Sequence, residues 1–517
     1  MKLALIPHVD GQKAKDVLVV FSSQKSSKSE DKKKQVQIHD ADLQLELAAL
    51  IQDESLTGKA QEALVLREKQ WKGFRHLLVV GLGSEWQNEG LRQAGAVILN
   101  SLNAIKATSA VVDAESALSS LPAGSMAANL QALIEGMALA GYDFNELKST
   151  SKKEKKKNLE IFIACKEASK SSSREALEKA QILTESVNFS RRLGDMPGNL
   201  MTPTILAQEV ARAARGTKAK CTIWDKARIK KEKMGGLLGV AQGSEEDPRF
   251  IILEYRGAGA KEKPVVFVGK GLTFDTGGIS IKPSTAMEEM KYDMCGGANV
   301  LGAVLALAKI KAKVNVIGLV PATENMPGGR ATKPGDVHVA RNGKSFEVNN
   351  TDAEGRLILS DALCYGSELK PKAMIDAATL TGAIVVALGN THTGYFTRHQ
   401  ELSSRIETAA KTSGEWVWRM PLVDHHVSDM KGTFADLSNI SSSKGAGSAT
   451  AAAFLEQFVD KSIPWAHFDI AGTAWAVGNR LPYCSKKGAS GCMIRTFVAL
   501  AMNLAEEDFS SSVAAAP

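Results

Sequence analysis

Three glycine-flanked segments of this chain concentrate acidic and basic residues in the way a metal site requires. The first, Gly269-Lys-Gly-Leu-Thr-Phe-Asp-Thr-Gly-Gly278, carries Lys270 and Asp275. The second, Met290-Lys-Tyr-Asp-Met-Cys-Gly-Gly297, carries Asp293, and the third, Asn349-Asn-Thr-Asp-Ala-Glu-Gly-Arg-Leu357, carries Asp352, Glu354 and Arg356. Four carboxylates with no histidine among them form an oxygen-rich donor set, suited to hard or borderline divalent ions such as Mg²⁺, Mn²⁺ or Zn²⁺. That many negative charges repel one another unless cations hold them. Taken singly, each aspartate reads as a helix cap or a turn residue. Their joint occurrence with two lysines and many glycines favours the metal reading.

Such residues need rigid elements behind them. The apolar run Pro264–Val268 predicts a strand directly before Lys270, and loops leaving the carboxyl ends of strands are where α/β sheets bind ligands. Asp293 stands just before a predicted helix, Gly296–Ile310. Arg356 opens another, Leu357–Tyr365, whose N-terminus attracts anions. Asp352 and Glu354, two residues apart, point to the same side if the backbone there is extended. Further strands at Phe250–Tyr255, Val314–Val320 and Ala373–Ala377 complete a mixed sheet covered on both faces.

The first part of the chain also alternates, with strands at Val17–Phe21 and His76–Val80 and helices at Leu43–Ile51 and Glu89–Ile105. A lysine- and serine-rich stretch at 149–157, an apolar run Leu159–Ala164 and a second polar stretch precede the helical text Glu175–Leu193, which reads as a connector. The expected fold class is α/β: an N-terminal α/β domain over 1–170, a connecting helix over 171–198, and a catalytic domain over 199–517 built on a central mixed sheet flanked by helices.

Length and composition agree with this. At 517 residues the chain exceeds one ordinary domain, and 44% apolar with 23% charged residues is ordinary globular composition. The N-terminal decapeptide lacks a full apolar core and cleavage site, so no secretion signal is read. The apolar runs are too short or too interrupted to span about 30 Å of hydrocarbon, so no membrane segment is expected. Six scattered cysteines without CxxC pairs fit reduced thiols, and a cytoplasmic location is expected. The net charge of +7 gathers in short clusters at 32–34, 152–157 and 230–233, which read as solvated loops and helix ends.

Several motifs fail on inspection. Gly81-Leu-Gly-Ser-Glu-Trp86 begins like a dinucleotide fingerprint, but Trp86 stands where its third glycine belongs. Asn342-Gly-Lys-Ser345 resembles the end of a P-loop, yet His338 occupies the required glycine position. There is no His-Glu-x-x-His, the adjacent His425 and His426 cannot share one helical face, and no Gly-x-Ser-x-Gly elbow is present.

Asn350-Thr-Asp-Ala-Glu-Gly-Arg-Leu357 resembles the signature octapeptide of the leucyl aminopeptidase family, also called the M17 or cytosol aminopeptidase family. Val268–Gly278, Met290–Gly296, Pro321-Ala-Thr-Glu-Asn-Met-Pro327 with Lys333–Asp336, and Asp469-Ile-Ala-Gly-Thr-Ala-Trp475 support it, over roughly Asn188 to Leu500. The resemblance implies that Lys270, Asp275, Asp293 and Glu354 hold one metal while Asp275, Asp352 and Glu354 hold another, with Asp275 and Glu354 bridging. A lysine ligates only as the neutral amine, which two adjacent dications favour. The reaction implied is removal of one N-terminal residue by a water activated between two ions, the resident metals being Mn²⁺ or Zn²⁺, or else Mg²⁺. Lys282 is then the oxyanion-stabilising ammonium, and Arg356, with Leu380, holds a bicarbonate that relays a proton. Met290, Thr379, Gly382, Ala471 and Ala474 form the side-chain pocket in this alignment. Some relatives carry methionine where Ala474 stands, so a preference for Leu or another apolar residue with tolerance of larger ones is expected. Partners implied are peptides with a free N-terminus and five further copies in a homohexamer.

Two other readings compete. Some bacterial relatives bind DNA, but the lysine clusters are short and carry no aromatic interleaving or reading-head motif. A two-metal phosphoesterase uses similar carboxylates, but the lysine ligand and the octapeptide speak against it.

Overall fold

The computed structural model describes residues 1–10, 16–25, 35–67, 71–84, 87–118, 126–149 and 158–506. The lysine clusters at 32–34 and 152–157, and Trp86 of the rejected dinucleotide motif, lie outside them.

The chain divides into two compact units. The first comprises 1–185 together with 478–485; the second comprises 186–477 with 486–517. The division falls inside one continuous helix, Ser171–Asp195, which is longer at both ends than the Glu175–Leu193 pattern predicts. The return of 478–485 to the first unit is invisible in the sequence. It is held there by side chains such as Tyr483, whose hydroxyl donates to Glu89 at 2.8 Å.

The first unit is a seven-stranded sheet in which Lys2–Ile6, Glu160–Ala164, Ser109–Asp113, Val17–Lys25 and His76–Gly81 run parallel and Ala63–Leu66 closes one edge antiparallel. The predicted helix 43–51 is broken at Leu47 into Ala41–Glu46 and Ala48–Gln52. Helices Asn88–Ala104 and Met126–Ala140 cross so closely that a β-carbon on Gly136 would stand 1.8 Å from the Arg92 carbonyl oxygen, so only glycine fits at the crossing.

The second unit carries a nine-stranded mixed sheet. Its centre is parallel: Trp465–Asp469 pairs with Ala373–Ala378, that strand with Val265–Gly269, and that one with Asn315–Asn325. Arg249–Arg256, Lys220–Trp224 and Thr393–Phe396 add antiparallel flanks. Every residue of Val265–Gly269 and Trp465–Asp469 is buried, as expected of strands covered on both faces. Phe346 meets the rings of Phe454 and Phe458 edge-on, in one core cluster with residues of the helices Gly355–Glu368 and Gly447–Glu456. The parallel strands all end on the same side, so their carboxyl ends bring Asp469, Ala378, Gly269 and Asn325 to one rim. Asn342-Gly-Lys-Ser345 is a hairpin connection between Asp336–Val339 and Ser345–Val348.

Candidate metal centre

Lys270 leaves the end of the strand Val265–Gly269, and its side chain is buried to 3% exposure. Its ammonium lies 2.8 and 2.9 Å from the two oxygens of Asp293, 2.9 Å from Glu354 Oε1, and donates to the Thr379 carbonyl at 2.9 Å. Asp293 is presented by the 3₁₀ segment Met287–Met294, which runs straight into the helix Cys295–Lys309.

Asp275 ends the short strand Gly271–Asp275. Its Oδ1 accepts from the Gly277 backbone N–H at 2.9 Å and from the Asn325 side-chain amide at 2.8 Å. Its Oδ2 faces Lys282 at 2.8 Å, and the same ammonium pairs with Asp352. One ligand oxygen from each of Asp275, Asp293 and Glu354 lies within 4.8 Å of the others. Asp352 stands outside that trio, on the Lys282 side.

The extended backbone expected between Asp352 and Glu354 is not found. Asp352 lies in a turn, and Glu354 has φ −77° and ψ −31° at the N-cap of Gly355–Glu368. The start of the helix, rather than strand alternation, aims Glu354 at the site. The loop is pinned by Thr351, whose hydroxyl donates to the Gly277 carbonyl at 2.6 Å, and by Asn439, whose amide nitrogen donates to the Asn350 carbonyl at 2.6 Å.

The electrostatics follow from burying four carboxylates against two ammonium groups. Burial pushes the Glu354 carboxyl up to about 8, helped by the neighbouring Asp275 charge. Burial likewise raises Asp293 and Asp352, against the pull of Lys270 and Lys282 respectively. For Lys270 and Lys282 burial opposes the charge, but the surrounding carboxylates outweigh it and hold both ammonium groups above the ordinary lysine range. Glu354 Oε2 is buried without a hydrogen-bond donor among the described residues. A buried carboxylate oxygen left without a donor in a cluster of excess negative charge fits a bound cation.

Arg356, the second residue of its helix, is buried and donates through Nη1 to the Asn439 carbonyl at 2.7 Å. Its Nε has no acceptor among the described residues, and burial brings the guanidinium down to about 10. A buried guanidinium with spare donors beside a helix N-terminus is suited to a small anion.

The predicted pocket residues divide. Met290 is half-buried, Gly382 is exposed at the start of Gly382–Leu388, and Ala471 is half-buried. Ala474 is fully buried, so its methyl group presents no surface. Thr379 is buried too, and its hydroxyl donates to Asp293 Oδ1 at 2.6 Å. The Leu380 backbone N–H donates to Asp469 Oδ1 at 3.2 Å. Sequence reasoning gave no role to Asn325, although it lies in a quoted motif, and had no signal for Asn439. A separate cavity of about 400 Å³, lined by Lys344, Arg398, Glu456 and Trp465 among others, shares no residue with the cluster.

Comparison with known proteins decides the family. The model for the cytosol aminopeptidase family catalytic domain matches residues 188–498, and that for the family's N-terminal domain matches 8–151. The chain belongs to the cytosol aminopeptidase family. Among aminopeptidases of this family, a probable cytosol aminopeptidase of Bdellovibrio bacteriovorus is 60% identical over 94% of this chain and 96% of its own. One from Burkholderia mallei is 41% identical over 86% and 87% of the two chains. The fold is similar to a mutant of tomato leucine aminopeptidase, with a TM-score of 0.85 at 32% identity over 97% of this chain and 96% of that one. The bottromycin maturation enzyme BotP in complex with Mn superposes with a TM-score of 0.82 at 28% identity, over 95% of this chain and all of that one.

All six cysteines of this aminopeptidase family member are free thiols. No helix among its described residues is long and apolar enough to cross a membrane. The 230–233 lysine cluster closes the helix Lys226–Lys231, and its Glu232 pairs with Arg228 and Arg341, as in an ordinary solvated helix end.

Proposed function

We propose that this family member removes single N-terminal residues, preferably Leu or another apolar residue, from peptides in the cytoplasm, using two divalent ions. The observation that carries the reading is the convergence of Asp275, Asp293 and Glu354 beside Lys270, with Glu354 Oε2 buried and without a donor. Lys270, Asp275, Asp293 and Glu354 would hold one ion; Asp275, Asp352 and Glu354 would hold the other. Mn²⁺ is the first candidate, given the complex formed by BotP. Such a pair supplies an acidified water and polarises a scissile carbonyl.

The chain's own residues do the rest. Lys270 would hold an ion only as the neutral amine, and positive charge seated against the same carboxylates would reverse the field that keeps it an ammonium. Lys282 keeps its proton and lies on the Asp352 side, where an ammonium stabilises developing negative charge on a substrate oxygen. Arg356, with Nη1 on the Asn439 carbonyl and Nε without an acceptor among the described residues, would hold a small anion such as bicarbonate, which would supply a proton relay when bound. The Leu380 N–H donates to Asp469 Oδ1, and the guanidinium with the N-terminus of Gly355–Glu368 would hold such an anion.

Kinetics on Leu, Phe and Lys p-nitroanilides test the specificity. The expected order places Leu first and tolerates Phe; a strong Lys preference contradicts it. N-acetylation of the Leu substrate abolishes turnover if the free α-amine is recognised.

A further inference from the structure

The cavity of about 400 Å³ lies at the amino end of the strand Trp465–Asp469, whose other end reaches the rim that carries the carboxylate cluster. Its walls come from four stretches of chain: Lys344 before the strand Ser345–Val348, Arg398 and His399 after Thr393–Phe396, Asp424 and Val427 in the helix Asp424–Ser428, and 456–465, which leads from the helix Gly447–Glu456 into Trp465. The apolar part is Val427, Val459, Ile463 and the Trp465 ring, whose indole N–H is taken by the buried Asp376 at 2.8 Å. This volume is at the small end of ligand pockets, which run from about 300 to 1,000 Å³.

The charged part of the wall does not pair off. Arg398 is shared by two carboxylates, its Nε lying 2.7 Å from Glu456 Oε1 and its Nη1 3.0 Å from Asp424 Oδ1. One negative charge is left over there, and Asp460, which accepts from the Ser462 N–H at 2.9 Å and hydroxyl at 2.7 Å, adds a second. Lys344 and Lys461 supply two positive charges, and among the described residues neither pairs with a carboxylate; Lys344 donates to the Gln457 carbonyl at 2.9 Å. Burial holds the His399 imidazole below its ordinary pKa, so it adds no charge at neutral pH. The wall therefore has zero net charge and unpaired groups of both signs. A simple anion or cation meets repulsion as well as attraction here, whereas a molecule carrying both charges meets a partner for each.

We propose that this cavity binds a free α-amino acid with an apolar side chain, as its zwitterion. The carboxylate goes to the two lysines, the ammonium to the surplus carboxylates, and the side chain against Val459, Ile463 and Trp465. Such molecules are what the reaction proposed above releases. The site does not rest on that reading, because it shares no residue with the carboxylate cluster.

The test is isothermal titration of full-length protein with leucine, with 4-methylpentanoate, which lacks the ammonium, and with 3-methylbutylamine, which lacks the carboxylate. Val459→Trp fills the cavity and removes one leucine per chain from the isotherm. For the site so lost, leucine binds at least about 10-fold more tightly than either analogue, the factor expected for one charged hydrogen bond. Lys344→Gln combined with Lys461→Gln weakens leucine at that site about 10-fold or more, and carries the test alone if the tryptophan variant does not fold. Leu-p-nitroanilide turnover stays at the wild-type value in both variants, which separates this site from leucine held at the carboxylate cluster. Leucine binding that is absent, or identical in wild type and variants, overturns the proposal. So does an analogue that binds the cavity as tightly as leucine, or a loss of leucine binding that is accompanied by loss of turnover. Wild-type protein that binds leucine in this way without hydrolysing the p-nitroanilide overturns the proposed function and leaves this site standing.

Discussion

Gly355 and Lys270 share one space: a β-carbon at position 355 would stand 2.8 Å from Lys270 Nζ and 2.9 Å from its Cδ. The atoms met are the end of a flexible side chain, so an added methyl displaces the lysine before it disturbs the backbone. Gly355→Ala is therefore expected to fold, with a melting temperature close to wild type. A displacement of about 1 Å at a reacting centre costs on the order of 100-fold in rate. Assays of Leu-p-nitroanilide turnover alongside thermal melts check this; a variant with wild-type turnover contradicts the crowding.

Asn325 is the second silent partner. Its amide donates to Asp275 Oδ1 at 2.8 Å and to the Thr351 carbonyl at 3.0 Å, joining the loops that carry Asp275 and Asp352. Asn325→Leu keeps the volume and removes both donors. Metal affinity or activity is expected to fall about 10- to 100-fold, read by dye competition and by turnover. An effect under about twofold removes Asn325 from the account.

On the proposed two-metal reading, removal of metal is expected to act on stability as well as turnover. The four carboxylates outnumber the two ammonium groups, and ions that bind only the folded chain add about 4 kcal/mol when present at about 1,000 times their dissociation constant. Chelation is expected to lower the unfolding transition of the second unit by several degrees, and added Mn²⁺ to restore it. Asp275→Ala loses most of that response. Equal melting temperatures with and without chelator contradict the expectation.

Asp361 gives a pH dependence away from the metal centre. Burial pushes its carboxyl from 3.8 up to about 7, against three backbone N–H groups, those of Leu237, Arg341 and Gly236, that favour the charged form. The folded state therefore holds this proton where the unfolded chain has released it. Its contribution to stability is full below about pH 4, falls as pH rises, and is gone above about pH 7. Urea unfolding at about pH 5 and about pH 8 checks the sign: wild type loses stability relative to Asp361→Asn across that interval. A constant difference contradicts it.

The legible part of the molecule is the part written in local text. The apolar runs beside Lys270 and after Ala373 identify strands to within a residue, because both faces of those strands are buried. The strand expected over 314–320 extends to Asn325, past Pro321 and into the polar residues that deliver the Asp275 contact. Lys270, Asp275, Asp293, Asp352 and Glu354 stand out because acidic and basic residues between glycines have few structural uses. Asn325, Thr379 and Asn439 do not, since each acts on a partner between 50 and 89 positions away and carries no charge. The Asp352–Glu354 geometry is misjudged for a related reason: the helix begins at Gly355, two residues before its apolar periodicity becomes visible.

The most direct measurement of the central claim is Leu-p-nitroanilide hydrolysis by chelator-stripped protein resupplied with Mn²⁺, Zn²⁺ or Mg²⁺, with Asp275→Ala and Glu354→Ala alongside. The account predicts no turnover when stripped, recovery with at least one ion at two equivalents per chain, and no recovery in either variant. Full activity in the stripped protein, or in either variant, contradicts it.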